Sequence, residues 1–584
     1  MTQTSSTENQ SRILPQTIVC GGCGWFALNN QPFLFADGMI NWLPTICGVL
    51  GVLAAVNLTA QLLTQGARLL DWLGLHQPKP NANASRWASY KDIKPLIYKG
   101  GTPFWGVMTD KQKTPLFIDF ESNALVVGPA GSGKGIYCVI PNICALAGKY
   151  SKLVVDFKGE LAAMMVDYLT RSGEQVYTLN PSGKFSSIVG KSASLNPLDV
   201  ITDDLFNAGQ LIYIMEDVRE FSDMLITDTS GNTDPFWPLG AKSVIELATL
   251  IECIIEGREA RLSQVALLIE DRIRLQQHLC WIIGHDMNGG PSSDGAMPIE
   301  QAQWAEQHSS QDVNEFAALI RARAGAMLKL MSGKDSKTFD SFVTQAQQAI
   351  APFAFGSLAK VTNKTTIPIK ELKSPDSVSS IFIMLDESRL QTSKKYIELV
   401  QWQLLLMVKR HPHKHVPVYA FFDEATNYKI KGLSSLMTWG RGFGLRLFIF
   451  IQVYSEFVRV YGKEDAQTLL SETQNKLFLP KQQSPEILEL ISKMLGQQAI
   501  VSVNQSQDKH GQGIQDSVSQ AEKPLMSSNA IRQSEHGILF VKDKPPIKIA
   551  PVSYAEITPW RRLVGINPYH KKPFIKKVKL KIKR

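Results

Sequence analysis

Two textures of apolar and polar positions alternate along this chain. Short apolar runs bounded by glycine, asparagine or acid recur at Ala124–Val127, Lys152–Asp156, Gln175–Leu179, Ser379–Leu385, Val416–Phe422 and Leu445–Ile451. Runs of this length without polar alternation predict strands covered on both faces, as in a parallel sheet. Between the third and fourth runs, from residue 203 to 352, the period lengthens to that of helices, over 205–218, 236–256, 260–284, 298–330 and 338–352. The clearest begins after Asp234 and Pro235, at cap and first-turn positions, and stops at Gly257. A further helix is expected from about Ser393 to Lys409. The pattern predicts an α/β fold interrupted by an all-α insertion.

The two ends differ from this body. Asp, Glu, Lys and Arg are missing from Ile13 to Ala36 and again from Gly38 to Ala67. Trp42–Ala60 supplies about 19 nearly continuous apolar residues, close to a bilayer-spanning length. Ile13–Leu28 is a shorter, glycine-containing candidate, so the anchor has one or two spans. Basic residues follow the second stretch, whereas the connecting loop carries only Asp37, which places the large C-terminal part in the cytoplasm. HQPKPNANASR at 76–86 reads as a linker, and 503–523 as a flexible polar segment. Order returns at Gly537–Ile549, and the last fourteen residues carry eight Lys or Arg. The expected division is 1–75 anchor, 76–202 and 353–503 two parts of a nucleotide-binding domain, 203–352 helical insertion, and 504–584 C-terminal segment with a basic tail.

Composition changes this picture little. The net charge is +9 over 584 residues, compatible with an anionic partner. Seven scattered cysteines argue against a disulfide framework, and the Cys20/Cys23 pair has neither a second pair nor a nearby histidine to complete a metal site.

The chemistry begins at the first apolar run, which breaks into Gly128, Pro129, Ala130, Gly131, Ser132, Gly133, Lys134 and Gly135. Glycine, four residues, glycine and lysine is the spacing of a phosphate-binding loop. Its glycines let backbone N–H groups turn toward phosphate oxygens, and its lysine reaches the β and γ phosphates. Gly135 stands where a serine or threonine hydroxyl would serve Mg²⁺, so metal binding must lean on carboxylates elsewhere. Asp423 and Glu424 end the Val416–Phe422 run, where the first can hold Mg²⁺ and the second can deprotonate the attacking water. Gln452 ends the next run and is a candidate sensor of the γ-phosphate, while Arg441, in the glycine-rich GRGFG, is a candidate finger acting across a subunit interface. His411, His413 and His415 lie in a turn before a strand, where solvated histidines are ordinary.

As a set, GPAGSGKG at 128–135, DFKGE at 156–160, LNPL at 195–198, DPFW at 234–237, FFDEA at 421–425, GRGFGLRLFIFIQ at 440–452, VYG at 460–462 and PPI at 545–547 resemble the coupling proteins of type IV secretion systems, the TraG/TraD group. The resemblance covers about residues 100–550. It implies a bacterial inner-membrane ATPase with an N-terminal transmembrane anchor, a RecA-like P-loop domain carrying the insertion, and assembly as a homo-hexamer. It implies ATP and Mg²⁺ as cofactors, secretion-channel components as partners, and cargo that is either a relaxase–DNA complex or effector proteins. On it, Lys134 contacts phosphate, Asp423 serves magnesium, Glu424 activates water and Gln452 senses the γ-phosphate. Asp156 and Glu160 belong to a family block without an assigned role. Two other classes stay open: a membrane docking platform whose nucleotide is structural, and a septal-type DNA translocase, which would need a DNA-binding module after the motor.

Overall fold

In a computed structural model the described residues are 84–582, apart from 99, 120–122, 227–233, 333–335, 508–513 and 571–576. Both expected spans and the Cys20/Cys23 pair lie outside them. Among the described residues no helix is long and apolar enough to cross a membrane. Two units divide the chain, 1–84 with 501–521, and 85–500 with 522–584. In the first, the described backbone includes the inner parts of two paired strands named below.

The second unit is built on one sheet of eleven strands. In chain order these are β1 (Phe104–Met108), β2 (Pro115–Phe117), β3 (Asn123–Val127), β4 (Ser151–Asp156), β5 (Gln175–Leu179), β6 (Ser379–Met384), β7 (Val418–Phe422), β8 (Leu445–Ile451) and β9 (Thr473–Phe478). β10 (Gln497–Gln507) and β11 (Ile514–Pro524) form a separate two-stranded sheet, and β12 (Gly537–Val541) and β13 (Ile547–Ala550) rejoin the large one. Across the large sheet the order is β2-β1-β13-β12-β9-β3-β8-β7-β4-β6-β5. The seven strands from β9 to β5 are parallel, and the remaining four extend the sheet antiparallel.

The central parallel strands β3, β8, β7, β4 and β6 are buried on both faces, which is why their cores are apolar without alternation. Neighbouring residues on a strand point to opposite faces. Leu125, Val127, Leu153 and Val155 enter one core, whereas Ala124, Val126 and Val154 enter the other. The first core continues into the helices between β5 and β6. They include Asp199–Phe206, Ile214–Leu225, Phe236–Glu256, Ser310–Ser332 and Ser336–Ile350. The second packs under the helices Ile140–Leu146 and Glu160–Arg171 and the C-terminal residues Tyr554 and Trp560, with Phe421 and Phe448 stacked 4.8 Å apart.

Phe236–Glu256 keeps the ends expected from its sequence: Asp234 Oδ1 accepts from Phe236 N at 3.0 Å, and Gly257 closes the helix at φ 55°. The stretch 503–523 differs from expectation. Its described residues supply most of two paired strands, although its polar sequence has no apolar stripe to read. β12 and β13 also tie the C-terminal segment into the same sheet as the phosphate-loop strand.

Two ion pairs, the first fully buried, pin the layers. Lys152, on β4, pairs with Glu174 at 2.8 Å with neither side chain exposed, and Glu174 also accepts from Gly148 N and Ser380 Oγ. Arg410, closing the helix Leu390–Arg410, holds Asp217 of the helical region through two bonds of 2.6 and 2.5 Å. Asp204 lies against the same pair. Burial and Asp217 push its carboxyl up to about 8 against the pull of Arg410, 3.8 Å away.

Candidate nucleotide site

Lys134, Asp423, Glu424 and Gln452 come from three segments far apart in sequence and meet at one edge of the sheet. β3 delivers the loop 128–135, β7 delivers Asp423 and Glu424, and β8 lies between them and ends at Gln452. All three strands are parallel, so their carboxyl ends face the same way, the edge where open α/β sheets gather ligands. Gly128 N donates to Ile451 O at 3.1 Å, fixing the loop's first residue to the end of β8.

The loop's shape depends on its glycines. Gly131 and Gly133 have φ of 72° and 82°, in the left-handed region. A Cβ at Gly128 would lie 2.6 Å from Ser132 Oγ, and one at Gly133 would lie 2.5 Å from the Tyr137 ring. After the loop the chain enters a π turn, Gly135–Val139, and then the helix Ile140–Leu146. Ser132 Oγ is buried and has no hydrogen-bond partner. Lys134 is nearly buried, its Nζ donating to Gly128 O at 2.8 Å. Burial pulls its ammonium pKa down while Asp423 and Glu424 pull it up. An orphaned hydroxyl, a folded-back ammonium and a cradle that excludes side chains fit a phosphate group.

The carboxylates are held differently from each other. Asp423 Oδ1 accepts from Glu424 N at 3.0 Å. Burial, with Glu424 beside it, pushes Asp423 up to about 6 against the pull of Lys134. Glu424 itself has φ 50°, a strained position for a side-chain-bearing residue of the kind found at functional sites. Its Oε1 accepts from Gln452 Nε2 at 3.0 Å and its Oε2 from Asn427 Nδ2 at 2.7 Å. Gln452 thus touches the carboxylate directly, and Asn427, three residues beyond Glu424, is a clamp that the sequence reading passed over.

Arg441 stands apart. It precedes β8, in the turn Gly440–Phe443, at the opposite edge of the sheet, with the whole of the seven-residue β8, about 23 Å long, between that turn and Gln452. Asp156 ends β4, and its Oδ2 accepts from Ala162 N at 2.8 Å, capping the helix Glu160–Arg171. Burial pushes it up to about 7. Glu160 Oε2 accepts from Asn567 Nδ2 at 2.7 Å. His411 Nε2 lies 2.9 Å from Lys370 O, and among the described residues no cluster of His, Cys, Asp and Glu is arranged to hold a metal.

Comparison with known proteins gives a consistent answer. The family described as "Type IV secretory system Conjugative DNA transfer" matches residues 81–559. Protein VirD4 of Rhizobium radiobacter is 22% identical over 488 residues, covering 81% of this chain but only 62% of that protein's length. The unbound structure of the bacterial conjugative coupling protein TrwBdeltaN70 aligns with a TM-score of 0.56 at 14% identity, over 81% of this chain and 94% of that one. The plasmid coupling protein TrwB in complex with ADP and Mg²⁺ aligns at 0.55 and 14% identity, over 82% and 96%. These structural likenesses establish a shared α/β fold.

Proposed function

The chain belongs to the family of type IV secretory system conjugative DNA transfer proteins, and from that premise we propose that it is a coupling ATPase, a receptor that delivers cargo to a secretion channel. The observation that carries this reading is the convergence of Lys134, Asp423, Glu424 and Gln452 at the ends of three adjacent parallel strands. The TrwB structure with ADP and Mg²⁺ supports the same pair of ligands here.

In this reading the loop 128–135 receives the phosphates, with Ser132 Oγ and the loop amides donating to them. Lys134 Nζ exchanges its bond to Gly128 O for the β and γ oxygens. Asp423 holds Mg²⁺, which neutralises charge on the transferring phosphoryl group when bound. Glu424, clamped by Gln452 and Asn427, takes the proton of the attacking water, and Gln452 passes the state of the γ-phosphate to β8. Arg441, at the far edge, is left to serve a neighbouring subunit's site in a homo-hexamer. The body is a RecA-like motor with the helices between β5 and β6 as an inserted domain, anchored in the bacterial inner membrane by residues 1–75. Its cargo is a relaxase–DNA complex or a protein effector.

The test is ATP hydrolysis by the full chain in detergent micelles at fixed salt, with and without single- and double-stranded DNA, beside Lys134→Ala. Turnover that needs Lys134 supports the motor. Stimulation by DNA assigns conjugation-type cargo, and turnover indifferent to DNA assigns protein cargo. ATP binding with no turnover in the presence of membranes, channel components and cargo would replace the motor with a docking platform.

A further inference from the structure

β4 pairs in parallel with β7, Val155 opposite Phe422, so the loop after β4, which carries Lys158, and Glu160, which opens the helix Glu160–Arg171, lie at the same sheet edge as Asp423. The charge of Glu160 adds to the upward push of burial on Asp156 and Asp423. Neither Lys158 nor Glu160 belongs to the machinery described above. The Glu160 carboxylate and the Lys158 backbone are held by a piece of chain some four hundred residues away. Asn567 Nδ2 donates to Glu160 Oε2 at 2.7 Å, and Tyr569 OH donates to Lys158 O at 2.9 Å.

The orientation of this piece is fixed by its own contacts. Asn567 Oδ1 accepts from Tyr569 N at 2.9 Å, which commits the oxygen of the amide inward and turns its NH₂ toward Glu160. Gly565 N donates to Met164 O at 2.8 Å, and a Cβ at Gly565 would lie 3.0 Å from that same oxygen, so the chain runs tight against the helix. The Tyr569 ring stands edge-on to Phe185 at 5.3 Å, with Lys184 Nζ 5.3 Å from its centre. Before it, Trp560 is buried against Phe104 of β1. Residues 560–569 are therefore a strap anchored in the sheet's second core and ending on the nucleotide edge.

We propose that Asn567 and Tyr569 are positioning residues for ATP hydrolysis, holding Glu160 and the Lys158 backbone in register with the site. This rests on the ATPase reading above. Glu160 opens the helix that Asp156 caps at the end of β4, the strand beside β7, and Asn567 restrains its carboxylate at that edge.

The test uses the full chain in micelles with Asn567→Ala, Tyr569→Phe and their combination. Two readouts are taken: amide hydrogen exchange over 158–162 in the nucleotide-free protein, and kcat, KM and the dissociation constant of a non-hydrolysable ATP analogue. The expected result for the double variant is faster exchange confined to 158–162. With it comes a kcat about fivefold lower, equal to about 1 kcal/mol at 1.36 kcal/mol per tenfold, with analogue affinity unchanged. Asn567→Asp, which sets a carboxylate against Glu160, is expected to be slower still, and Glu160→Gln in that background to recover rate by restoring a donor to the pair. Unchanged exchange, or unchanged kcat in a chain whose parent hydrolyses ATP, overturns the proposal. A parent chain that shows no hydrolysis overturns the ATPase reading instead, while faster exchange over 158–162 would still support the strap.

Discussion

Gln452→Ala is the substitution whose effect the site geometry constrains most closely. Gln452 gives Glu424 Oε1 one of its two side-chain hydrogen bonds, at 3.0 Å, and Asn427 gives the other oxygen one at 2.7 Å. Removing the amide leaves a carboxylate held on one side, on a backbone already strained at φ 50°. A hydrogen bond to a charged group contributes about 1.5–3 kcal/mol, or about 10- to 150-fold in rate at 1.36 kcal/mol per tenfold if it is felt in the transition state. Both side chains are half-buried, which places the loss toward the lower end, about tenfold. The assay is steady-state ATP hydrolysis with a parallel titration of a non-hydrolysable analogue. The expected result is a fall in kcat with affinity held. Asn427→Ala is expected to do the same, and the double variant to lose less than the product of the two, because a carboxylate already free on one side is poorly aligned. A Gln452→Ala protein with normal kcat and weakened nucleotide affinity would refute this reasoning, since the amide would then be serving the ligand and not Glu424.

Three further outcomes follow from the packing. Gly133→Ala places a Cβ 2.5 Å from the Tyr137 ring at φ 82° and is expected to abolish nucleotide binding, while Gly135→Ser, with no atom within 4 Å of its Cβ, should change stability by less than about 0.5 kcal/mol; equilibrium binding and thermal melts distinguish them. Asp204, held up at about 8, keeps a proton that the unfolded chain gives up near 4, so its contribution to stability falls as pH rises between those values. Asp204→Asn should remove that part of the slope, gaining on the parent in denaturant midpoints at alkaline pH and not at pH of about 4. Glu174→Ala strands the Lys152 ammonium in the core and is expected to destabilise by about 3–5 kcal/mol, read as a lowered denaturation midpoint, with the double change to apolar residues recovering most of it.

The central parallel strands were legible because burial on both faces leaves an unmistakable mark: Leu445–Ile451 has the bounds its apolar run predicts, as does the partly exposed edge strand Gln175–Leu179. The helix Phe236–Glu256 was legible for a different reason, since its cap and its terminating glycine are local chemistry. β9, TQNKLF, was missed because two of its polar residues, Thr473 and Asn475, are buried and its apolar residues cluster at one end. The ribbon of β10 and β11 was read as flexible for want of an apolar face. At the site, the residue types of the loop and of the Asp423–Glu424 pair announced themselves. The bond between Gln452 and Glu424 did not, because it depends on β8 lying between β3 and β7, an adjacency no spacing encodes. Asn567 is further still from any local signal, since its partner is on the other side of the whole sheet-forming chain.

The pairing of β1 with β13 has a consequence for how the protein is made. Val107 lies opposite Ala550, and β12 covers the flank of β9. Until synthesis has passed residue 550, β1 and β2 lack the strand that joins them to the sheet, and β9, paired with β3 on one side, stands at the rim with its other side open, the kind of edge that recruits foreign strands. Closure joins segments from the two ends of the body, the slowest class of contact to form. A ribosome that stops early therefore releases a chain with its phosphate loop complete but its sheet open, recognisable to proteases and chaperones as unfinished. β12 and β13 act as a seal, and only a chain that extends past residue 550 can close it.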